Sequence, residues 1–139
     1  MNKDKPSPPN KPSGQSLVEF AIVLPTLLLM ILGTMDFARL FSTKIVLTNA
    51  AREGASYLSQ NPSDFGNVLS VINAEAQNIT MDDVNISCTP QDAAGCVSGG
   101  TVTVIVTKSV DLIFGGFLQS LGLASGPLEL SSTVRMMVR

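Results

Sequence analysis

The stretch SGQSLVEFAIVLPTLLLMILGTM (residues 13–35) decides the fold, because it is long and apolar enough to cross a membrane as a helix. From Leu17 to Met35 its only ionisable side chain is Glu19, and its only proline is Pro25. A helix over these residues rises about 28 Å, close to the hydrocarbon thickness of a bilayer. The stretch therefore predicts a transmembrane helix.

A cleaved secretory signal is the first alternative to a membrane span. The apolar core of such a signal is shorter, at about 7–15 residues, and a small-x-small cleavage site follows it. The residues that follow here, LGTMDFARLF, contain no A-x-A pattern. The pattern favours an anchor over a secretory signal.

Residues 1–14 (MNKDKPSPPNKPSG) contain three lysines and four prolines and no apolar run. This composition predicts a short disordered leader, and its lysines favour the cytoplasmic side of the membrane. Because Arg39 and Lys44 follow the span, the charge difference between its two flanks is small.

The helical pattern continues beyond the span, which predicts one helix from about Gln15 to Ser59. Such a helix is about 68 Å long, so its second half would lie outside the bilayer and offer an apolar stripe for packing. The predicted stripe comprises Phe37, Leu40, Phe41, Ile45, Leu47, Ala51, Ala55 and Leu58.

A second, shorter helix is predicted after the NPSD segment (residues 61–64), with Ser63 or Asp64 as its N-cap. Its apolar face would comprise Phe65, Val68, Leu69, Ile72, Ala76 and Ile79.

The apolar period then changes to two, which predicts strands at residues 84–90, 101–110 and 128–139. Gly99-Gly100 and Gly126-Pro127 are interpreted as the turns between them. Three antiparallel strands with one apolar face need a cover, and the stripe of the long helix supplies it. The predicted fold class is α+β and pilin-like: a long N-terminal helix packed on a small antiparallel sheet, with a short second helix.

The segment DLIFGGFLQSLGLASG (residues 111–126) is apolar but interrupted by glycines, and it fits either a short helix or a loop. Two roles remain open for its apolar side chains: they close the open end of the sheet core, or they contact another subunit. These side chains are Ile113, Phe114, Phe117, Leu118, Leu121 and Leu123.

Cys88 and Cys96 are the only cysteines. If the sheet lies outside the cytoplasm, they can form a disulfide across the loop between the first two strands; in a reducing compartment they would be free thiols. A loop of this size predicts a stabilisation of about 2–3 kcal/mol in the chain-entropy model.

Composition also excludes several classes of function. The chain has no histidine, so a Ser-His-Asp or Cys-His catalytic site is excluded, and two cysteines alone do not make a structural zinc site. After residue 60 there are seven acids and three bases, so nucleic-acid binding has no support. We expect no enzyme activity, no cofactor and no small-molecule substrate.

Two blocks of the long helix carry a family resemblance. GQSLVEFAIVLPTLLLMILGTMDFARLF (residues 14–41), followed by LTNAAREGASY (residues 47–57), resembles the TadE-like proteins, which are minor pseudopilins of bacterial Tad (Flp) pilus systems. The resemblance is close over residues 14–57, and it is looser over the C-terminal strands.

The resemblance implies a maturation step at the N-terminus. A prepilin peptidase would cut after Gly14, so that Gln15 becomes the new N-terminus, with Glu19 fifth and Phe20 sixth in the mature chain. Many prepilins of this system have tyrosine at the sixth position, so Phe20 is a departure. Pro25 is similar to a helix-softening proline in other pilin stems.

The implied organisation has four parts. Residues 1–14 are a cytoplasmic leader removed on maturation, and residues 15–36 form the transmembrane helix. Residues 37–60 continue that helix outside the cytoplasm, and residues 61–139 form a small α+β extracytoplasmic domain.

The resemblance also implies a structural role and a set of partners. The chain would be a single-pass protein of the bacterial inner membrane that enters a pilus or its assembly base, where it would serve cell adhesion. Its partners would be the lipid bilayer, the prepilin peptidase, a major Flp-type pilin, another minor pseudopilin, the membrane platform proteins and the assembly ATPase. The alternative is an uncleaved, single-pass anchored extracytoplasmic binding domain.

Individual stem residues keep two interpretations each. Glu19 either reaches lipid headgroups or pairs with the new α-amine of Gln15, on its own chain or a neighbour's, and so sets the axial register. In the AAREGA block (residues 50–55), the small residues, Gly54 among them, permit close helix-to-sheet approach. Arg52 and Glu53 are adjacent and pair poorly with each other, so they are candidates for bridges to neighbouring subunits.

Overall fold

A computed structural model describes residues 14–76, 79–92, 95–122 and 126–139, so most of the predicted leader lies outside the described residues. The elements are, in order, α1 (Gln15–Gln60), α2 (Phe65–Ala76), β1 (Asp83–Asp92), β2 (Gly95–Val110), α3 (Ile113–Ser120) and β3 (Leu128–Met137). A long helix, a short second helix and a three-stranded antiparallel sheet confirm the predicted α+β fold.

The helix α1 has 46 residues and continues through Pro25. It ends where the backbone N–H of Asn61 donates to the carbonyl of Tyr57 at 2.9 Å, next to the proline of the NPSD segment. At 1.5 Å per residue it is about 69 Å long, and the core packs on its second half.

The sheet has the order β1-β2-β3, and both pairs are antiparallel. In the central strand, Val104 lies between Ile86 of β1 and Val134 of β3. The two-residue period puts Val102, Val104 and Val106 on one face, where all three are fully buried, as the alternation predicts.

The prediction of a turn at Gly99-Gly100 is wrong, because both glycines lie inside β2. The pairing of β1 with β2 shifts register between Thr89 and Gln91, opposite this part of β2. A Cβ on Gly100 would lie 2.8 Å from the Val97 carbonyl oxygen and 3.1 Å from that of Thr89. Gly100 therefore marks a close approach of backbones at this irregularity, and Gly99 beside it has a positive φ of 80°. By contrast, Gly126-Pro127 does precede β3 as predicted.

The core is formed by the C-terminal half of α1, the helix α2 and one face of the sheet. The predicted stripe holds from Leu47 onward, where Leu47, Ala51, Ala55 and Leu58 are fully buried. It is wrong for Phe37, Phe41 and Ile45, which are 69%, 60% and 47% exposed, whereas Leu40 is half-buried. The irregular 3–4 spacing drifts: at 100° per residue, Ile45 lies about 120° around the helix from Ala51.

The helix α2 begins after Asp64, whose Oδ1 accepts the backbone N–H of Asn67 at 3.3 Å. The Tyr57 hydroxyl donates to Oδ2 of the same carboxylate at 2.5 Å, which lowers the pKa of Asp64 and raises that of Tyr57. Val68, Ile72 and Ala76 are buried as predicted, and Phe65 packs against the core. Leu69 is exposed, and Ile79 follows the end of the helix, so these two predictions are wrong.

Candidate membrane and assembly interface

We call residues 15–46 of α1, which precede the first fully buried core residue, the stem. Its apolar part presents its side chains outward: Leu17, Phe20 and Ile22 are all more than half exposed. Among the described residues, α1 is the one helix long and apolar enough to cross a membrane, and none of its most apolar stretch is buried. Such a surface could anchor the helix in a membrane, which is consistent with a single-pass membrane protein.

The N-terminal end of the stem holds the residues of the predicted maturation site. Gly14 is exposed and caps α1, with its carbonyl accepting the Val18 N–H at 3.3 Å. A Cβ at position 14 would have no neighbour within 4 Å. Glu19 and Phe20 lie on the exposed surface of the next turn; the side chain of Gln15 is outside what the structure describes.

Pro25 lies midway along the apolar stretch. It has no N–H to give to the carbonyl of Ala21, and the neighbouring Thr26 hydroxyl donates to the carbonyl of Ile22 at 3.4 Å. With Leu28, Leu29 and Leu32, Pro25 lines a shallow, wholly apolar hollow on the helix surface. Such a hollow suits a lipid chain or an apolar side chain of another helix.

The apolar run ends at Asp36, which is only 5% exposed. Its two carboxylate oxygens accept the backbone N–H groups of Ile113 and Phe114, at 2.9 Å and 2.6 Å. These are orphan donors of the first turn of α3, so a side chain from one helix caps another. The segment at residues 111–126 thus contains a helix, and it is joined to α1.

Sequence reasoning missed this role of Asp36. The available signal was an acid directly after an apolar span, but Asp111, at the helix start DLIF, offered a nearer candidate cap in the sequence. The expectation that this segment closes the sheet core is not met by the described residues of α3, none of which belongs to the core cluster. The side chains of Phe117 and Leu118, and all of Leu123, lie outside the described set.

The AAREGA block divides between two faces of α1. Arg52 and Glu53 are exposed, whereas Gly54 is buried. A Cβ at position 54 would lie 2.5 Å from Cγ1 and 2.6 Å from Cδ1 of Ile72. The close approach made by Gly54 is therefore to α2, more than to the sheet.

The disulfide lies at the distal end of the molecule, far from the apolar stem. Cys88 and Cys96 are bonded, with their Cα atoms 5.3 Å apart. The Cys96 N–H also donates to the carbonyl of Pro62 at 3.0 Å, so the bonded hairpin sits against the turn between α1 and α2.

Within the described ranges, no three His, Cys, Asp or Glu side chains are grouped so that they could hold a metal ion. The features available for interaction are therefore surfaces. They are those of an apolar stem, a capped helix beside it and a small disulfide-bonded domain.

Comparison with known proteins finds a family match over most of α1. The family model described as TadE-like protein matches residues 14–56, from the glycine that caps α1 to the serine that follows the AAREGA block. This confirms the resemblance predicted from the sequence and suggests a Tad pilus-associated protein. No curated protein and no solved structure matches the chain.

Proposed function

We propose that the chain is a minor pseudopilin, a structural component that helps to initiate or form a Tad/Flp-type pilus after a prepilin peptidase has cut it at Gly14. One observation carries the proposal. The matched segment begins at Gly14, and Gly14 is the exposed cap of an unbroken helix whose next residues present an apolar surface. Among the described residues, nothing lies within 4 Å of a Cβ added at Gly14, which leaves this bond accessible to a peptidase at the membrane surface.

Glu19 gives the mature stem a means of alignment. After cleavage the α-amine would be on Gln15, four residues before Glu19, a rise of about 6 Å along the helix. A neighbouring stem displaced by that rise would bring its amine to this carboxylate in a setting of low dielectric, where the attraction is strong. Axial register between subunits would follow from this pair.

The proposed orientation places the leader in the cytoplasm and residues 37–139 outside. The disulfide supports this orientation, because such bonds persist in oxidising compartments. In this setting the partners are the peptidase, the major Flp-type pilin, a second minor pseudopilin, the platform proteins and the assembly ATPase.

Intact mass of the membrane-extracted protein tests the proposal. The chain is expressed with an active prepilin peptidase, with a catalytically inactive peptidase, and as the Gly14→Leu variant with the active enzyme. We expect loss of residues 1–14 only when the active enzyme meets the unaltered chain.

Two outcomes would contradict cleavage after Gly14. Retention of the leader with the active enzyme would instead support an uncleaved anchored binding domain. A new N-terminus beyond Met35 would indicate secretion through a cleaved signal.

A further inference from the structure

Three contacts fix the direction of the sheet along α1. At the distal end, the Arg139 N–H donates to the carbonyl of Ser59 at 2.9 Å. Further down, the Ser132 hydroxyl donates to that of Thr48 at 3.0 Å, and the Lys44 ammonium donates to the carbonyl of Ser131. The strand β3 therefore runs away from the membrane span, and β2, antiparallel to it, runs toward the span.

The described parts of the connection from β2 to β3 (residues 111–122 and 126–127) consequently lie at the end of the domain that faces the bilayer. The hydrogen bonds to Asp36 define where the start of this connection lies along α1. Asp36 follows Met35, the last residue of the apolar span, and it holds the N–H groups of Ile113 and Phe114 within 2.9 Å. The start of α3 is thus fixed at the level where the span ends.

The chemistry of this connection is that of a lipid-facing segment. From Leu112 to Leu128 it contains no charged side chain. Ile113 and Leu121 are 47% and 56% exposed. On the neighbouring turns of α1, Phe37 and Phe41 are exposed and stacked, with ring centroids 6.2 Å apart.

We propose that α3, with the turn that follows it (residues 112–122), lies in the headgroup region of the bilayer as a second membrane-contacting element beside the span. The occupant of its exposed apolar face is lipid. The surface is continuous with the transmembrane segment, since a single side chain, Asp36, joins the two. The headgroup region adds about 5–8 Å beyond the hydrocarbon on each side, and Asp36 lies about 1.5 Å past Met35 along the helix.

This second contact has a mechanical consequence. A lone transmembrane helix can rotate about its axis and change its tilt at modest cost. A short apolar helix joined to its side at the interface sets which side of the stem faces the bilayer surface, and with it the orientation of the sheet. The inference requires that residues 17–35 span a bilayer, and it does not depend on cleavage after Gly14.

The absence of tryptophan from the chain makes a depth measurement straightforward. We would introduce a single tryptophan as Ile113→Trp, as Leu121→Trp, or, for the control, as Leu69→Trp. Leu69 is 46% exposed, close to the 47% of Ile113, but it lies on α2 in the distal domain. Each full-length variant is reconstituted in phosphatidylcholine vesicles with and without a lipid brominated at carbons 6 and 7, and its helix content is checked by circular dichroism.

We expect bromolipid to quench at least half of the emission of Ile113→Trp and Leu121→Trp, with a blue-shifted maximum, and to leave Leu69→Trp nearly unquenched. Emission from both α3 variants as unquenched as that of Leu69→Trp would overturn the proposal. A blue shift without quenching, lost when protein is diluted into excess lipid, would overturn it in favour of a second copy of the chain. If either α3 variant loses helix content, the other decides.

Discussion

Gly54 of α1 and Ile72 of α2 are so close that a Cβ at position 54 would lie 2.5 Å from Cγ1 of Ile72. Ile72 is fully buried, so it has no solvent-filled space into which to move. The second helix of the domain therefore packs directly onto the backbone of the first, and the glycine of the AAREGA block sets this distance.

We expect Gly54→Ala to lower the free energy of unfolding by about 1–2 kcal/mol. Overpacking a core costs roughly 1–3 kcal/mol, and the better helix propensity of alanine offsets roughly 0.5–1 kcal/mol of that. Thermal unfolding of the full chain in detergent micelles, followed by circular dichroism, measures the change.

A matched control is Gly66→Ala in α2, where the nearest atom to a new Cβ is Asp64 Oδ1 at 3.9 Å. It should leave stability unchanged or slightly raised. The clash is specific to Ile72, so Gly54→Ala should cost less in an Ile72→Ala background. Equal costs in both backgrounds would show that the clash does not control packing.

Loss of the Asp36 cap should loosen α3 while the core stays intact. Replacing a capping acid by alanine costs about 0.5–2 kcal/mol, and about 1.4 kcal/mol is a tenfold change in an equilibrium. Asp36→Ala should therefore speed amide exchange at Ile113 and Phe114 by roughly 2- to 30-fold. Hydrogen exchange of the micelle-bound chain, followed by NMR, resolves these two amides.

The control for this experiment is Asp111→Ala, which removes an exposed acid two residues before the start of α3. It should leave exchange at Phe114 near the wild-type rate, and amides of Val104 and Val106 should be unaffected in both variants. Comparable acceleration from Asp36→Ala and Asp111→Ala would show that charge near the helix start, and not the two hydrogen bonds, protects α3.

Asp82 should make stability depend on pH in the acid range. Its carboxylate accepts the Ser109 hydroxyl and N–H and contacts the Lys108 ammonium at 3.0 Å, and these interactions lower its pKa from 3.8 to about 2. A lowered pKa in the folded state means that the stabilisation is present above about pH 4 and is lost as the pH falls through about 2.

We therefore expect Asp82→Asn to have a lower Tm than the wild type at pH 7, and the two Tm values to converge as the pH falls from 4 to 2. The neighbouring Asp83→Asn removes the same charge from the exposed start of β1 and serves as the control. A difference between Asp82→Asn and the wild type that stayed constant down to pH 2 would contradict the assigned hydrogen bonds.

Glu19 should matter for assembly and not for processing. Glu19→Ala keeps the Gly14–Gln15 bond and the exposed helix start, so cleavage should proceed at near the wild-type level. Incorporation should fall several-fold, measured as the amount that co-purifies with sheared pili. Glu75→Ala, which removes an exposed acid from α2, is the matched control. Undiminished co-purification of Glu19→Ala would support the headgroup interpretation.

Local patterns predicted the long helix and the central strand well. An apolar run followed by 3–4 spacing predicted Gln15 to Ser59, and the helix ends at Gln60. Alternation predicted which face of β2 is buried, because a strand with one covered face has little freedom of register. The Asp64 cap was also predicted from the sequence, because an N-cap side chain bonds a backbone N–H only three residues away.

Contacts between residues far apart in the sequence could not be predicted from it. Asp36 and Ile113 are 77 residues apart, and nothing in either neighbourhood names the other. Phe41 and Ile45 were assigned to the core because they are apolar, yet only the position of the sheet along α1 shows where the cover ends. The glycines at positions 99 and 100 resemble a turn, and only the register of β1 reveals an irregular strand.

The strand order β1-β2-β3 leaves β1 and β3 as open edges, where a further strand could add. On β1, Pro90 has no N–H to donate, and Asp83 and Asp92 carry charge at its two ends. On β3, Glu129 and Arg135 are exposed and charged. Both edges therefore resist strand addition between copies, and polymerisation through a continuous β-ladder is disfavoured. Subunits of such a chain would be joined through their stems, so that a filament built from them would have a helical interior and would carry its sheets as separate outer units.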